Sequence, residues 1–412
     1  MNENGMVIVG AGEAGARAAV ELRKQGWTGT ITIIGEEKRP PYERPPLSKQ
    51  LLLSDDEPSP TVILDNEMMA RHNIRFLSGS KAVQINRSTR TIALSDGSEI
   101  PYERLLLATG ARPRQLFLNG SALPGVLYLR TFADALTICK RIQPGKRVVV
   151  IGGGFIGLEV AASAIKRGCS VTLIEVGPRI LMRGVTLEIA SVVEKCHRAA
   201  GVVFNLGVSI ESIENTHGEH IITLADGAII SCDEIIVGIG AIPETSLAAE
   251  CGLEIDNGVS VNEILATSDP HIFAAGDCCS FPHPHYGGKR IRLEAWRNAQ
   301  DQGMHAARNM LGASEPYKTI PWFWSDQYEQ TLQVAGFPDY GKTTVLRDMG
   351  EAGKLFFHLS DEGRLVSVSG IGPNAGIAKE IRLGEMLIER QARPEPEMLS
   401  NPNAKLKQLL SV

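Results

Sequence analysis

One glycine pattern, present twice, restricts this chain more than any other feature. Residues 6–9 are an apolar run, residues 10–15 contain glycines spaced GxGxxG, and an alanine-rich helical pattern follows. A strand, a tight turn and a helix in this order predict a dinucleotide fold, because such glycines let backbone approach a pyrophosphate at a helix N-terminus. A second strand at 30–34 and an acid at Glu36 complete the expected context. The first loop therefore predicts a dinucleotide site, built on Gly10, Gly12, Ala14 and Gly15.

The same pattern returns in the middle of the chain. Residues 147–151 have a strand pattern, a second GxGxxG follows, and residues 155–166 have a helical pattern. The next predicted strand, 170–174, leads to Glu175 as 30–34 leads to Glu36. Two matches in this context predict two bound dinucleotides, or a large one and a mobile one. The glycines of the second loop are Gly152, Gly154 and Gly157.

Length and charge exclude several classes of protein. A chain of 412 residues predicts two or three domains. A net charge of −5 does not suggest nucleic-acid binding. Glu159 interrupts the most apolar stretch, 148–165, so we expect no membrane span. The first residues lack the basic-then-apolar order of a signal peptide, and we therefore expect a cytoplasmic protein.

Cysteine and histidine give little sign of a metal or dithiol centre. The chain has 7 cysteines, and none are spaced as CxxC or CxxxxC, which argues against a redox-active dithiol. Cys278 and Cys279 directly follow Asp277, and buried small residues are favoured over a functional thiol there. His283 and His285 lack a nearby third ligand, which favours a proline-rich loop over a metal site. No metal is expected.

Other segments give the coarse organisation. The prolines of residues 38–49 predict a rigid, extended segment that presents Arg44 and Lys49, with a surface linker as the alternative. Apolar runs at 105–108, 234–240 and 272–275 predict buried strands that end in glycine or threonine-glycine. From Pro321 onward the pattern changes to strand-like runs followed by helical segments from Ala378 and Leu406. This predicts a separate α+β C-terminal domain.

At this point the chain resembles the FAD-dependent NADH:ferredoxin reductases of oxygenase systems, the family of putidaredoxin reductase, the reductase components of Rieske dioxygenases and rubredoxin reductase. The similarity covers essentially the whole chain. It rests on GAGEAG at 10–15, RPPLSK at 44–49, ATGARPR at 108–114, YLRTFADA at 128–135, GGGFIGLEVA at 152–161, AAGDC at 274–278 and WFWSDQY at 322–328.

The resemblance implies the fold and the domain boundaries. The class is α/β, with two Rossmann-like nucleotide-binding domains of the glutathione-reductase type and an α+β C-terminal domain. FAD would be bound by a discontinuous domain, residues 1–113 and 244–320. NADH would be bound by residues 114–243, and residues 321–412 would form the C-terminal domain.

The resemblance also implies residue roles toward FAD. The first glycine loop would hold the pyrophosphate, and Glu36 the adenosine ribose, with Glu37 as a competitor. Asp277 would accept from the ribityl hydroxyls, with a helix cap as the alternative reading. Trp296 would start a helix whose N-terminus faces the flavin pyrimidine edge, where it would stabilise negative charge. The remaining FAD candidates are Arg44, Lys49, Ala82, Ala108, Arg130, Gly276 and Trp324.

On the NADH side, the resemblance adds Ile156 and Gly240 to the second glycine loop. Glu175 ends the strand where a 2′-phosphate of NADPH would sit. A carboxylate accepts from the 2′-hydroxyl of NADH and repels that phosphate, so NADH is the expected cofactor. Arg179 and Arg183 lie nearby and would soften this preference.

Lys49 and Glu159 are the candidate catalytic pair. By resemblance both fall near the flavin N5, and a buried pair of opposite charges is expected to shift each partner toward its ionised form. A plain interdomain salt bridge is the alternative. Trp324 would lie over the flavin on the face away from nicotinamide, although packing of the C-terminal domain is an equal alternative.

The implied activity is electron transfer from NADH through FAD to a 2Fe–2S ferredoxin that supplies an oxygenase. The partner complex would be transient, and the enzyme a monomer or homodimer. Within the same fold, a rubredoxin reductase or an NADH oxidase is the alternative. A redox-controlled interaction protein resembling apoptosis-inducing factor is the alternative of another class, although the chain shows neither a targeting sequence nor a basic surface segment.

Overall fold

The computed structural model describes residues 5–54, 58–118, 120–216 and 218–410. The chain divides into two compact units. The first unit comprises Met1–Glu43, Pro60–Arg112 and Ile242–Thr319. The second comprises Arg44–Ser59, Pro113–Ala241 and Ile320–Val412.

The α-helices of the described residues differ in length and are distributed among the strands along the chain. They are α1 Glu13–Lys24, α2 Gln50–Leu53, α3 Asn66–Arg71, α4 Phe132–Arg141, α5 Phe155–Lys166, α6 Leu187–Ala199, α7 Ser246–Glu250, α8 Trp296–Met310, α9 Asn374–Glu389 and α10 Pro396–Ser400.

The strands are mostly short. They are β1 Gly5–Val9, β2 Ile31–Gly35, β3 Ile74–Ser78, β4 Ala82–Asn86, β5 Thr91–Leu94, β6 Glu99–Leu107, β7 Ala111–Pro113, β8 Phe117–Leu118, β9 Ser121–Ala122, β10 Leu127–Tyr128, β11 Arg147–Ile151, β12 Ser170–Glu175, β13 Val203–Leu206, β14 Ile210–Thr216, β15 Glu219–Leu224, β16 Ile229–Cys232, β17 Glu234–Val237, β18 Ala241–Pro243, β19 Val259–Ser260, β20 Ile272–Ala274, β21 Cys279–His283, β22 Lys289–Ile291, β23 Trp322–Gln327, β24 Gln330–Gly336, β25 Thr343–Asp348, β26 Lys354–Leu359 and β27 Leu365–Gly372.

The first unit is built on a sheet in the order β3-β2-β1-β6-β5-β4, with β20 paired to β6. Strands β3, β2, β1, β6 and β20 run parallel, and β5 and β4 are antiparallel additions. Among these parallel strands, β1, β2 and β20 are buried along their whole length, as expected for strands covered on both faces. Their carboxyl ends therefore lie at one edge, where parallel α/β sheets bind ligands.

The second unit contains a parallel sheet of the same kind. Its order is β10-β17-β11-β12-β13, and every pairing in it is parallel. The loop between β11 and α5 carries the second glycine pattern, as the loop between β1 and α1 carries the first. These two sheets confirm the predicted α/β class with two Rossmann-like parts.

The C-terminal part of the second unit is an antiparallel sheet in the order β23-β24-β27-β26-β25. Helix α9 buries its apolar face on this sheet through Ile377 and Ile381. Arg347 of β25 is buried and donates to the carbonyl oxygens of Leu399, Met398 and Ala404, which ties down the segment after α9. The predicted α+β character of this part is confirmed.

Two local expectations differ from the structure. The proline segment is not extended throughout, because Pro45–Ser48 forms a 3-10 helix. Proline is tolerated in the first turn of a helix, where its missing N–H is not needed. Helix α9 begins at Asn374, before the apolar pattern that marks it at Ala378. Among the described residues, no helix is both long and apolar enough to cross a membrane.

Candidate functional site

The first glycine loop packs closely against neighbouring backbone atoms. Gly10 has a φ of +117°, and a Cβ there would lie 2.0 Å from the carbonyl oxygen of Ala108. A Cβ on Gly15 would lie 2.0 Å from the carbonyl oxygen of Gly10, so α1 packs tightly on the loop. A Cβ on Gly12, in contrast, meets no atom within 4 Å. Gly12 is the N-cap of α1 and leaves open space beside the N–H groups of that helix.

The second loop repeats this division of tasks. Gly152 has a φ of +109°, and its Cβ would lie 2.4 Å from the carbonyl oxygen of Gly238. A Cβ on Gly157 would lie 2.1 Å from the carbonyl oxygen of Gly152. The nearest atom to a Cβ on Gly154, the N-cap of α5, is 4.0 Å away. Each unit therefore offers one cradle open toward the first turn of a helix, which fits a pyrophosphate.

Other predicted residues lie at the same edge of the first sheet. Ala108 follows β6, and Gly276 and Asp277 follow β20. Because β1, β6 and β20 are parallel neighbours, these residues and Gly10 lie side by side. The Gly276 N–H donates to Gln302 Oε1 at 2.8 Å, which fixes the turn after β20 on α8. Helix α8 begins at Trp296, as predicted.

The two candidates for the adenosine ribose differ in their contacts. Glu36 lies just after β2, and its exposed carboxylate pairs with Lys81 at 3.2 Å. Glu37 accepts a hydrogen bond from the Tyr42 hydroxyl at 2.6 Å. Ala82 is buried at the start of β4. Glu36 is thus the carboxylate whose partner is a surface lysine, and Glu37 is tied to a tyrosine.

Glu175 has a local role that sequence analysis did not foresee. One carboxylate oxygen accepts from the Gly153 N–H at 2.6 Å, and the other accepts from the Gly177 N–H at 2.7 Å. The carboxylate therefore braces the glycine loop against the turn after β12. Arg179 donates to the carbonyl oxygens of Ile180, Leu181 and Val185, so its guanidinium is engaged with its own loop. Arg183 is exposed.

The remaining candidates on this side lie around the same loop. Ile156 is in the first turn of α5 and is 47% exposed. Gly240 follows β17 and has a φ of +103°, a conformation in which side chains are strained. In the same unit, the Arg44 guanidinium donates to the Arg130 carbonyl oxygen at 2.6 Å, which brings those two predicted residues together.

The predicted Lys49–Glu159 pair is present in the second unit. Lys49 Nζ lies 3.4 Å from Glu159 Oε1, and the Glu159 side chain is 6% exposed. Two hydroxyls also bind this carboxylate: Ser325 Oγ donates to Oε1 at 2.6 Å and Ser48 Oγ donates to Oε2 at 2.5 Å. Glu159 therefore lies in a polar pocket formed by β23, α5 and the 3-10 helix before Lys49.

Lys49 has a second acidic partner that the sequence did not identify. Asp326 Oδ2 lies 3.0 Å from Lys49 Nζ, closer than Glu159 does. The same Asp326 oxygen accepts from Trp324 Nε1 at 3.3 Å, and Lys49 Nζ lies 5.4 Å from the centroid of the Trp324 ring. Trp324 also stacks on Trp322. The WFWSDQ segment contributes an acid and a serine to the pair, as well as the expected tryptophan.

Lys49 lowers the pKa of Glu159, as predicted for the pair, but it does not determine the net shift. Burial raises the pKa of the Glu159 carboxyl, and the Lys49 ammonium and the two serine hydroxyls offset only part of that rise. Loss of hydration in the pocket outweighs attraction to an ammonium shared with Asp326. Glu159 is thus a carboxylate that is more easily protonated than an exposed one.

The cysteines match the structural interpretation. All 7 cysteines of the chain lie within the described residues, and all 7 are free. Cys278 and Cys279 are buried, and burial raises the pKa of both thiols. His283 is buried and its Nε2 lies 3.0 Å from the Thr319 carbonyl oxygen. Across the described parts of the chain, no group of three or more His, Cys, Asp or Glu side chains is arranged to hold a metal ion.

The predicted FAD residues are divided between the two units. Gly10, Gly12, Ala14, Gly15, Glu36, Ala82, Ala108, Gly276, Asp277 and Trp296 belong to the first unit, and Arg44, Lys49, Arg130 and Trp324 to the second. All the predicted NADH residues belong to the second unit. Asp326, Ser325 and Ser48 are additional functional candidates. In the sequence these residues are marked by their position within the predicted motifs, but that position does not show which way a side chain points.

Comparisons with known proteins agree with this arrangement. Residues 5–303 match the family model described as pyridine nucleotide-disulphide oxidoreductase, and residues 322–410 match the model described as reductase C-terminal. The chain is 37% identical to the ferredoxin–NAD(+) reductase component of the anthranilate 1,2-dioxygenase system of Burkholderia cepacia, over 100% of both chains. It is 42% identical to a rubredoxin-NAD(+) reductase of Pseudomonas putida, over 82% of this chain and 89% of that relative.

A solved structure matches over nearly the whole length. The covalent putidaredoxin reductase–putidaredoxin complex aligns with a TM-score of 0.92 and 34% identity, over 99% of this chain and 98% of that chain. The resemblance seen in the motifs is confirmed, as are the predicted enzyme class and cofactors. The chain therefore belongs to the pyridine nucleotide-disulphide oxidoreductase family, in which it is an NAD-dependent flavoprotein with a reductase C-terminal domain.

Proposed function

We propose that this enzyme transfers electrons from NADH, through FAD, to a 2Fe–2S ferredoxin that supplies an oxygenase. The observation that carries the proposal is the presence of two dinucleotide cradles without a dithiol among the described residues. FAD, when bound, supplies two-electron chemistry toward NADH and one-electron chemistry toward an iron–sulfur centre. With Cys278 and Cys279 buried and no cysteine pair bridged, the electrons have no protein disulfide to reduce. The electrons therefore leave to an acceptor outside the chain, for which we propose the ferredoxin.

Each cradle has a defined task in this proposal. The open face at Gly12 would hold the FAD pyrophosphate, and Glu36 rather than Glu37 would bind the ribose, because Glu37 is tied to Tyr42. Ala82, Ala108, Gly276, Asp277 and Trp296 would line the rest of that site in the first unit. The domain division 1–113 with 244–320, 114–243 and 321–412 remains a prediction, as do the FAD roles of Arg44, Arg130 and Trp324.

NADH would be held by the second cradle. Gly152, Gly154 and Gly157 would accommodate its pyrophosphate, with Ile156 and Gly240 at the edge. Glu175 would accept from the ribose hydroxyls while its oxygens stay anchored by Gly153 and Gly177. Arg179 is engaged with three carbonyl oxygens, which supports a preference for NADH over NADPH. Lys49 would place a positive charge beside the reacting atoms and help to orient them, with Glu159 as its counter-ion.

The compartment is proposed on the same grounds. All 7 cysteines are free, and thiols persist in a reducing compartment. We therefore place the reaction in the cytoplasm.

The test is anaerobic reduction of a purified 2Fe–2S ferredoxin by NADH and the FAD-loaded enzyme. We expect NADH to bleach the flavin and the ferredoxin to be reduced catalytically, with greater kcat/KM for NADH than for NADPH. Bleaching of the flavin without reduction of any 2Fe–2S ferredoxin tried would overturn the proposed acceptor.

Rubredoxin is the second candidate acceptor, because a rubredoxin-NAD(+) reductase is among the relatives. The same assay with rubredoxin in place of ferredoxin separates the two. A kcat/KM for rubredoxin well above that for every ferredoxin would favour this function. Rapid peroxide formation from oxygen without a carrier would instead favour an oxidase.

A further inference from the structure

A chain of hydrogen bonds leads away from Glu159 into the interior of the second unit. Gln327 Nε2 donates to Ser325 Oγ at 2.8 Å, and His197 Nε2 lies 2.8 Å from Gln327 Oε1. The Tyr328 hydroxyl lies 3.3 Å from His197 Nδ1. Ser325 and His197 are 0% exposed and Gln327 is 1% exposed. These contacts connect α6 to the pocket of the predicted catalytic carboxylate.

The chemistry of each group gives this chain a single direction. An amide oxygen only accepts, so the proton of the neutral His197 ring is on Nε2, and Nδ1 accepts from Tyr328. Since Ser325 Oγ accepts from the amide of Gln327, its own proton points to Glu159 Oε1. Every donor thus points toward the carboxylate. Ser48 Oγ adds another donor at Oε2.

Such a chain favours the ionised form of Glu159. A carboxylate accepts both serine protons strongly, whereas a protonated carboxyl is a weaker acceptor on one oxygen and presents an O–H to the hydroxyl at the other. An amide does not pass protons readily, so Gln327 makes the chain an orienting device rather than a proton path. The chain counteracts the burial that raises the pKa of Glu159.

We propose that His197 and Gln327 are positioning residues that keep Glu159 ionised beside Lys49 by orienting the hydroxyl of Ser325. The proposal rests on the proposed function, in which Glu159 is the counter-ion of Lys49 during reduction by NADH. It extends the pair by two buried residues that do not contact it directly.

Several described residues set the charge around Glu159 and the chain of hydrogen bonds. Lys49 faces Glu159 Oε1, and Asp326 lies on the other side of the ammonium. At the far end, Tyr328 faces His197, and Lys166 Nζ lies 5.9 Å from the Tyr328 ring centroid. Arg198 lies over Phe204, whose ring packs edge-on against His197. Lys49, Asp326, Tyr328, Lys166 and Arg198 are unchanged in the variants below.

The first test is an infrared titration of the FAD-loaded enzyme, in which protonated carboxyl groups give a distinct band. The Glu159→Gln variant identifies the component that belongs to Glu159. In Gln327→Leu and His197→Phe we expect this component to persist to higher pH than in the wild type. In Gln408→Leu, which changes an exposed glutamine of the same unit, we expect the wild-type titration. An unchanged midpoint in Gln327→Leu would overturn the proposal.

The second test is the pH dependence of flavin reduction by NADH in anaerobic rapid mixing. If Gln327 acts through the ionisation of Glu159, Gln327→Leu slows reduction roughly three- to tenfold at pH 6 and recovers toward the wild-type rate in alkali. A loss of equal size at every pH would mean a general structural defect and would refute the positioning role.

A third variant covers the case in which Gln327→Leu does not fold. Ser325→Ala removes the hydroxyl itself with a small change in volume, and we expect it to shift the infrared titration in the same direction. If wild-type flavin is not reduced by NADH, the proposed function fails, while the infrared titration, which needs no NADH, still decides whether the chain controls Glu159.

Discussion

At the residue scale, the three glycines of each loop perform different tasks. Gly10 and Gly15 are required by the protein, because a Cβ on either would lie 2.0 Å from a backbone carbonyl oxygen. Gly12 has no such requirement, since a Cβ there meets nothing within 4 Å. The absence of a side chain at Gly12 therefore matters for a ligand bound at the open face of the cradle. This distinction separates ligand binding from folding.

The first prediction follows from that contrast. Gly12→Ala should change the free energy of unfolding of the apoprotein by less than about 1 kcal/mol, but weaken FAD binding at least about tenfold by blocking the pyrophosphate. Gly10→Ala should destabilise the apoprotein by about 2 kcal/mol or more, because its φ is +117° and its Cβ has no room. Urea unfolding and FAD titration measure both. Unaltered FAD affinity in Gly12→Ala would contradict the assignment of the cradle.

The second prediction concerns Glu175. In Glu175→Gln only one side-chain oxygen remains to accept, so one of the Gly153 and Gly177 N–H groups loses its partner. Loss of such a bond costs about 1–3 kcal/mol, and we expect kcat/KM for NADH to fall about tenfold or more while discrimination against NADPH narrows. Steady-state kinetics with both nucleotides measure this. Glu214→Gln, at an exposed position of β14, is the matched control, and equal losses in both variants would argue against the role.

At the element scale, the pairing of α1 with α8 depends on one close approach. A Cβ on Gly303 of α8 would lie 2.3 Å from the carbonyl oxygen of Ala14 in α1. Both helices are rich in alanine, and small residues let their backbones come together. This contact holds α8, whose first residue is Trp296, against the helix that begins at the first cradle.

The third prediction reverses a usual preference. Alanine in a helix interior is ordinarily favoured over glycine by about 1 kcal/mol. Gly303→Ala should nevertheless lower the free energy of unfolding by about 1–3 kcal/mol, because the added methyl group forces α8 away from α1. Urea denaturation measures the change, with Gln300→Ala at a partly exposed position of α8 as the control. A stabilised Gly303→Ala protein would show that the helices are not so close.

At the scale of the whole molecule, each unit contains a buried neutral histidine. Burial lowers the pKa of His283 in the first unit and of His358 in the second to about 4. Both side chains are almost inaccessible, at 0% and 2% exposure. Unfolding returns each ring to water, where its pKa is about 6.5. Acid should therefore weaken both units.

The fourth prediction gives the sign and range of this effect. Below about pH 6.5 the unfolded chain binds protons that the folded chain does not, so the free energy of unfolding falls as the pH decreases toward 4. Each histidine contributes up to about 3 kcal/mol to that fall. Urea midpoints at pH 7.5, 5.5 and 4.5 test it, and His283→Gln or His358→Gln should reduce the slope. Slopes equal to the wild type in both variants would rule out these histidines as the cause.

Features that depend on residues close together in the sequence were predictable, and features that depend on packing between distant residues were not. The glycine loops, the strands that enter them and the start of α8 at Trp296 are local, since spacing and apolar periodicity specify a few successive backbone angles. The approximate α9 boundary and the conformation of Pro45–Ser48 were missed, because local preference there is weak and packing decides. Motif resemblance added Lys49 and Glu159 without their surroundings.

The sequence by itself thus determined the two Rossmann-like cradles, the family and the cofactors. A position that needs a positive φ, or that has no room for a Cβ, requires glycine, and these glycines recur at a fixed spacing that the sequence shows directly. Only the tertiary structure decided what surrounds Glu159. Lys49, Ser325 and Asp326 come together from distant parts of the chain, and burial of that cluster reverses the shift in the Glu159 pKa expected from an ion pair. Hydration is lost through the enclosure of a site by several elements, and no short segment encodes that enclosure.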